Sequence, residues 1–207
     1  MIDPPTFLLF LGGALLLNVT PGPDMAFTLA SAVKNGTRAG VAAALGISAG
    51  SLVWAIMTSL GLAALLASSQ HALTVLRIAG GLYLFYLAVQ TYRRRGEPLD
   101  AKGAQNVMSA FRSGLLTNLL NPKVGIFFLA FLPAFLDPAA GPVWAQSLTL
   151  GAVFSLSGLL VLCVVAHGAG RVRDRFAASP NWLRRIRTGA AAVFASLGLG
   201  LLLSRQP

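Results

Sequence analysis

Two charged residues stand where charge is costly. Asp24 ends the string Asn18-Val-Thr-Pro-Gly-Pro-Asp, directly after the uncharged run PPTFLLFLGGALLL. Lys123 ends Leu119-Leu-Asn-Pro-Lys, inside FRSGLLTNLLNPKVGIFFLAFLPAF. An ionised side chain in such surroundings needs a partner or a wet cavity. Asp24 and Lys123 complement each other, and together they suit a small zwitterion. The ammonium of Lys123 and freed N–H groups would receive a carboxylate, while Asp24 and freed carbonyls would hold an ammonium. Among six acidic residues, only Asp24 lies where a carboxylate could also take up and release a proton inside such a site.

The residues before each charge break a helix. Pro21 and Pro23 have no N–H, and each ring blocks the bond to the carbonyl four residues back, which frees carbonyls near Leu17 and Val19. Broken backbone inside a bilayer survives only where protein or water meets it. Asn18 and Thr20 bring polar side chains to the break, and Gly22 permits close approach of backbone or ligand. Asn118, Asn121 and Pro122 repeat the device before Lys123. Plainer roles exist for each residue. Asp24 could cap a short helix MAFTLASAV, Lys123 could snorkel to an interface, and Asn118 and Asn121 could bond neighbouring helices. The recurrence of break plus charge favours one shared binding site.

The elements that position these residues follow from composition. The chain is 56% hydrophobic and 11% charged over 207 residues, with mean hydropathy +0.73. A soluble domain carries about 25% charged residues, so this is an integral membrane protein. At about 20 apolar residues per crossing, six helical spans are expected near 5–25, 38–66, 72–92, 112–135, 145–169 and 187–204. Apart from Arg77, Lys123 and Arg205, every Lys and Arg falls in alternate loops: Lys34 and Arg38, then Arg93 to Arg112, then Arg171 to Arg187. Such loops face the cytoplasm, which places both termini on the outer side. The N-terminal MIDPPTF has Asp3 and no basic residue, unlike a signal peptide, so the first span should be retained.

The net charge of +10 is dispersed among these loops rather than gathered on one face, which argues against nucleic acid as partner and for lipid headgroups. The lone Cys163 lies in an apolar run and reads as a packing residue. Two histidines and scattered carboxylates offer no metal set, and no nucleotide-binding loop occurs. No cofactor and no enzyme chemistry are expected. Gly36, Gly40, Gly46 and Gly50 form a small-residue face for helix packing within the monomer or in a homodimer. Tyr83, Phe85 and Tyr86 read as aromatic packing, His167 as an interfacial histidine, His71 and Gln70 as loop, and Asp137-Pro138 as a turn.

The halves echo each other. Thr20-Pro21 pairs with Asn121-Pro122, SAGSLV from Ser48 with LSGLLV from Leu156, and RIAGGLYLF from Arg77 with RTGAAAVF from Arg187. Three spans per half make a tandem copy insert upside down, as in transporters built from inverted repeats. The expected division is repeat one at about 1–93, a charged linker at about 94–108 and repeat two at about 109–207.

The stretch NVTPGPDMAFTLASAVKNGTRAGVAAALGISAG resembles the opening of bacterial LysE/RhtB-type amino-acid exporters. GGLYLFYLAVQTYR is similar to their third span, and FRSGLLTNLLNPKVGIFFLAFLPAF to the start of their second half. The resemblance covers essentially the whole chain as a single exporter domain. It implies export of an amino acid or close derivative across the inner membrane, drawing on a proton or substrate gradient. It places the polar motif on Asn18, Thr20, Pro21, Gly22, Pro23 and Asp24, and on Asn118, Asn121, Pro122 and Lys123. The residues alone leave open an exporter or channel for another small metabolite or ion.

Overall fold

The computed structural model describes residues 2–68, 78, 82, 85, 86, 88–93, 95, 96, 106–169 and 180–203. Among these every regular element is helical. Two helices are long and apolar enough to cross a membrane, or three if one bent pair counts as a span.

Helix α1, Pro4–Val19, starts on two prolines, which fit a first turn whose N–H groups are unpaired in any case. Asp3 caps it by accepting a hydrogen bond from the Thr6 N–H at 3.1 Å. Its 16 residues make about 24 Å, less than the roughly 30 Å of a hydrocarbon core. Beyond the break at 20–22 the chain resumes in α2, Pro23–Ser68. That helix reverses at Asn35 and Gly36, where Gly36 has φ 82° and ψ 169°, a conformation open essentially to glycine alone. The reversal is tight, since a Cβ on Gly40 would lie 2.5 Å from the Ala32 Cβ. In a continuous helix, residues eight apart are separated by about 12 Å. The helix that starts at Pro23 therefore runs to 34 before it reverses, past the limit near 25 expected for the first span. Pro23 restarts the helix, and Thr28 and Ser31 within it are buried.

Of the third predicted span, the described residues between Ile78 and Arg93 are helical. Its remaining positions, with Arg77 and Tyr83, lie outside the described residues, as do Gln70, His71 and Arg205. Tyr86 in this span is exposed and Phe85 half-buried.

Helix α3, Val107–Leu119, begins earlier than position 112 because Asn106 and Ser109 form a reciprocal capping box, which takes up the end of the expected linker. After a break at 120–121 comes α4, Pro122–Ile126. It continues as a π-helical turn, Phe127–Phe131, and a 3₁₀ turn, Leu132–Phe135. The two arms of this broken span meet at 52°. Asp137 caps the turn that follows. Helix α5 is Val143–His167 and α6 is Pro180–Leu203. The latter starts before the expected position 187.

The second part of α2 packs mainly on α3 and α5. A Cβ on Gly46 would strike the Phe111 carbonyl oxygen, and one on Gly114 would lie 2.5 Å from that of Ala43. Backbones this close are possible only between small residues. Gly40, Gly46 and Gly50 are thus spent inside the monomer, while Gly36 makes a turn and is no part of a packing face. Two apolar cores result. One holds Met25, Phe27, Ala32, Ala43 and Ala166, near the basic loops. The other is aromatic, with Phe10, Phe127, Phe128, Phe131, Phe135 and Phe154 toward the opposite end.

Candidate functional site

Both helix breaks open into the space between the two cores. Pro21 removes the donor that the Leu17 carbonyl would otherwise meet, and the interruption does the same for Thr20. Both carbonyls accept hydrogen bonds from the Lys123 ammonium, each at 3.0 Å. Lys123 therefore closes the end of α1 from the other half of the chain. Gly22 makes this possible, since a Cβ there would lie 3.3 Å from Lys123 Nζ. The Thr20 hydroxyl turns back to the Leu16 carbonyl at 2.6 Å, away from the break.

The reverse connection runs through Asp24. It is the second residue of α2 rather than its cap, and its Oδ2 accepts from Asn118 Nδ2 at 2.8 Å. Asn118 Oδ1 in turn accepts from the Ser51 hydroxyl at 3.4 Å. Each charge that follows a break thus meets the last turn before the break in the other half. The restarts that correspond are Pro23-Asp24 and Pro122-Lys123, each opening a helix, a shift from the Thr20-Pro21 with Asn121-Pro122 pairing read from sequence. The oxygen Asp24 Oδ1 and the nitrogen Asn121 Nδ2 are buried with no hydrogen-bond partner.

Asn121 caps α4, accepting from the Lys123 N–H at 3.1 Å. Pro122 fills the first position of that helix. Pro21 is buried at the break, whereas Pro23 is exposed and acts on backbone shape alone. Asn18 donates to the Phe154 carbonyl at 3.2 Å and to the Ser157 hydroxyl at 3.0 Å, which ties the end of α1 to α5.

Between these groups lies a hollow of about 20 Å³ lined by Asn18, Asp24, Ser51, Asn118, Lys123 and Ser155, among others. That volume admits about one water molecule. The arrangement is closed, and any larger ligand requires the helices to part. The sequence reading missed Ser48, Ser51, Ser155 and Ser157 as site residues. Ser48 donates to the Ser155 carbonyl at 3.1 Å, so the start of SAGSLV lies against the residue that precedes LSGLLV, and Ser48, Ser155 and Gly158 all line the hollow. The lysine differs from expectation in one respect. Its ammonium already occupies the freed carbonyls that were assigned to a ligand's ammonium.

Among the described residues, no group of three or more His, Cys, Asp or Glu side chains could hold a metal ion. The lone Cys163 is half-buried, and His167 Nδ1 sits 2.8 Å from its carbonyl oxygen.

A model of the LysE type translocator family matches residues 15–205. The chain belongs to this family. The LysE-type match takes in both helix breaks and both charges. An uncharacterized membrane protein of Vibrio cholerae is 29% identical over 98% of each chain. A threonine efflux protein of Salmonella typhi is 30% identical over 90% of this chain and 92% of its own. A homoserine/homoserine lactone efflux protein of Salmonella typhimurium is 28% identical over 92% of this chain and 93% of its own. No solved structure matches the chain. The protein is thus a membrane translocator.

Proposed function

We propose that this LysE-type translocator exports an amino acid or close derivative across the bacterial inner membrane, by alternating access at the hollow between the two broken helices. The observation that carries this reading is the crossed pairing of Lys123 with the Leu17 and Thr20 carbonyls and of Asp24 with Asn118. Both ends of a zwitterion find a complement there. Relatives named for threonine and for homoserine efflux make a small polar amino acid the first cargo to test.

In this mechanism Lys123 is a tethered stand-in for cargo. Its ammonium sits on the two carbonyls while the site is empty. An arriving carboxylate draws it off, and the cargo's own ammonium takes the vacated oxygens and Asp24. Six spans in two inverted halves, divided near 94–108, would let the halves rock about the site. The basic loops and both termini then lie on the cytoplasmic and outer sides respectively, and the wild-type protein works without a cofactor. A homodimer is compatible with this scheme and unnecessary for it.

Asp24 is the proposed proton-coupling group. The purified protein in sealed vesicles should accumulate threonine or homoserine against its gradient when a proton gradient is imposed. Asp24→Asn should abolish accumulation while leaving downhill exchange measurable. Uphill transport by that variant at the wild-type rate would remove Asp24 from coupling. Absence of flux for every amino acid and derivative would redirect the proposal to another small metabolite.

A further inference from the structure

Four buried polar atoms away from the central hollow have no hydrogen-bond partner: Thr28 Oγ1, Trp54 Nε1, Thr58 Oγ1 and Ser147 Oγ. Helical hydroxyls usually satisfy themselves by bonding back to a carbonyl three or four residues earlier. Thr20, Thr117, Thr149 and Ser155 do so here; Thr28, Thr58 and Ser147 do not. Leaving such a group dry and unpaired costs about 1–3 kcal/mol. Four at once in an apolar interior is a debt that packing alone does not explain.

Their placement is ordered. Thr28 lies one helical turn beyond Asp24, on the side of the basic turn at Lys34 to Arg38. The other three lie on the opposite side of the hollow. Trp54 follows Ser51 by one turn along α2, and its ring closes over Gly125 of α4, where a Cβ would come within 2.8 Å. The register of α2 against α5 is antiparallel, with Ser48 bonded to Ser155 and Ala55 packed on Gly151. One further turn in each helix brings Thr58 to the level of Ser147. Beside Ser147 in sequence, Gln146 lines a hollow of about 290 Å³ with Asp3, Thr6 and Asp137 at that end of the molecule.

We infer that these four side chains mark two collapsed half-channels for a small zwitterion and its water, Thr28 toward the basic face and Trp54, Thr58 and Ser147 toward the opposite face. The inference rests on the transporter reading above and adds the route to it. Each half-channel is shut in the described form by one of the two apolar cores. When a core parts, its polar groups acquire water or cargo as partners, which offsets the cost of opening. The same residues act as positioning residues for a passing molecule without holding it.

The test uses the full chain with Cys163→Ser, carrying Thr28→Cys, Thr58→Cys or Ser147→Cys, in sealed vesicles of known orientation. The probe is the anionic, membrane-impermeant reagent methanethiosulfonate ethylsulfonate, applied to each face in turn. Leu150→Cys and Ala44→Cys, equally buried and apolar, are the controls. Thr58→Cys and Ser147→Cys should react from one face and Thr28→Cys from the other. Each should exceed the controls about tenfold, the ratio that 1.4 kcal/mol of opening free energy gives. Reaction of all three at the control rate overturns the inference, whatever the cargo proves to be. Clear labelling in a protein that moves no amino acid overturns the proposed function instead. Should a cysteine variant fail to fold, Thr58→Val and Ser147→Ala serve. They should keep or raise the melting temperature while slowing flux, whereas unchanged flux overturns the route.

Discussion

One ammonium from α4 serves as donor to two carbonyls at the end of α1, so removing it should be felt in folding as well as in transport. Lys123→Met keeps the length of the stem and leaves both oxygens without a donor. At about 1–3 kcal/mol for each buried group left unmet, thermal unfolding in detergent should show a loss of about 2–6 kcal/mol, together with loss of export. An unchanged melting temperature would mean that water replaces the ammonium at no cost. Asp24 and Lys123 were legible in the sequence because a charge inside an apolar run is rare and conspicuous. Ser48, Ser51 and Ser155 were not. Serine is common in membrane helices, and only the crossing of α2, α3 and α5 decides which serines face the hollow.

At the scale of the element, the breaks were readable from proline and their consequences were not. The first span was expected to end near 25, with a short helix MAFTLASAV capped by Asp24 as the plainer reading; Pro23 in fact holds the first position of that helix, and 23–34 is helical. The crossing of α2 on α3 depends on having no side chain at Gly46. Gly46→Val should lower stability by about 1–3 kcal/mol or more through overpacking, because the obstruction is the Phe111 carbonyl and cannot swing away. Gly12 in α1 has open space around it, and Gly12→Ala should instead raise stability by about 0.5–1 kcal/mol through helix propensity. Thermal melts of the pair in one detergent decide the matter; equal effects would refute the crossing. A titration tests the start of α1. Hydrogen bonds from Thr6 hold the Asp3 carboxyl below its ordinary range. A carboxyl lowered in the folded state adds stability above its unfolded value and loses it as pH falls through the folded one. The protection of the Thr6 amide, corrected for the intrinsic exchange rate, should therefore fall as pH drops below the ordinary aspartate value of about 3.9, and in Asp3→Asn that pH-dependent fall should vanish.

For the molecule as a whole, composition established a helical membrane protein, and the order of breaks and basic loops suggested two related halves. The dissimilarity of the two cores could not be read in advance. Near the basic loops, alanine and glycine bring backbones together; at the other end, phenylalanines from α1, from the π-helical and 3₁₀ turns after α4, and from α5 fill the space. Phe127 stacks on Phe154 with ring centres 4.3 Å apart, and Phe131 lies 6.2 Å from Phe10. Phe127 and Phe131 bound the π-helical turn, and that widened winding aims both rings at the same neighbours. One residue fewer between 127 and 131 would tighten the winding and rotate all that follows by about 100°. Phe135 would swing away from Phe10, from which it now stands 5.4 Å. A single deletion there should thus unseat the aromatic seal as thoroughly as removing a ring, with apolar length and composition almost untouched. Spontaneous leakage of a small solute through vesicles bearing the shortened protein would reveal it. A tight, wild-type barrier would mean that the extra residue has no part in keeping the far side shut.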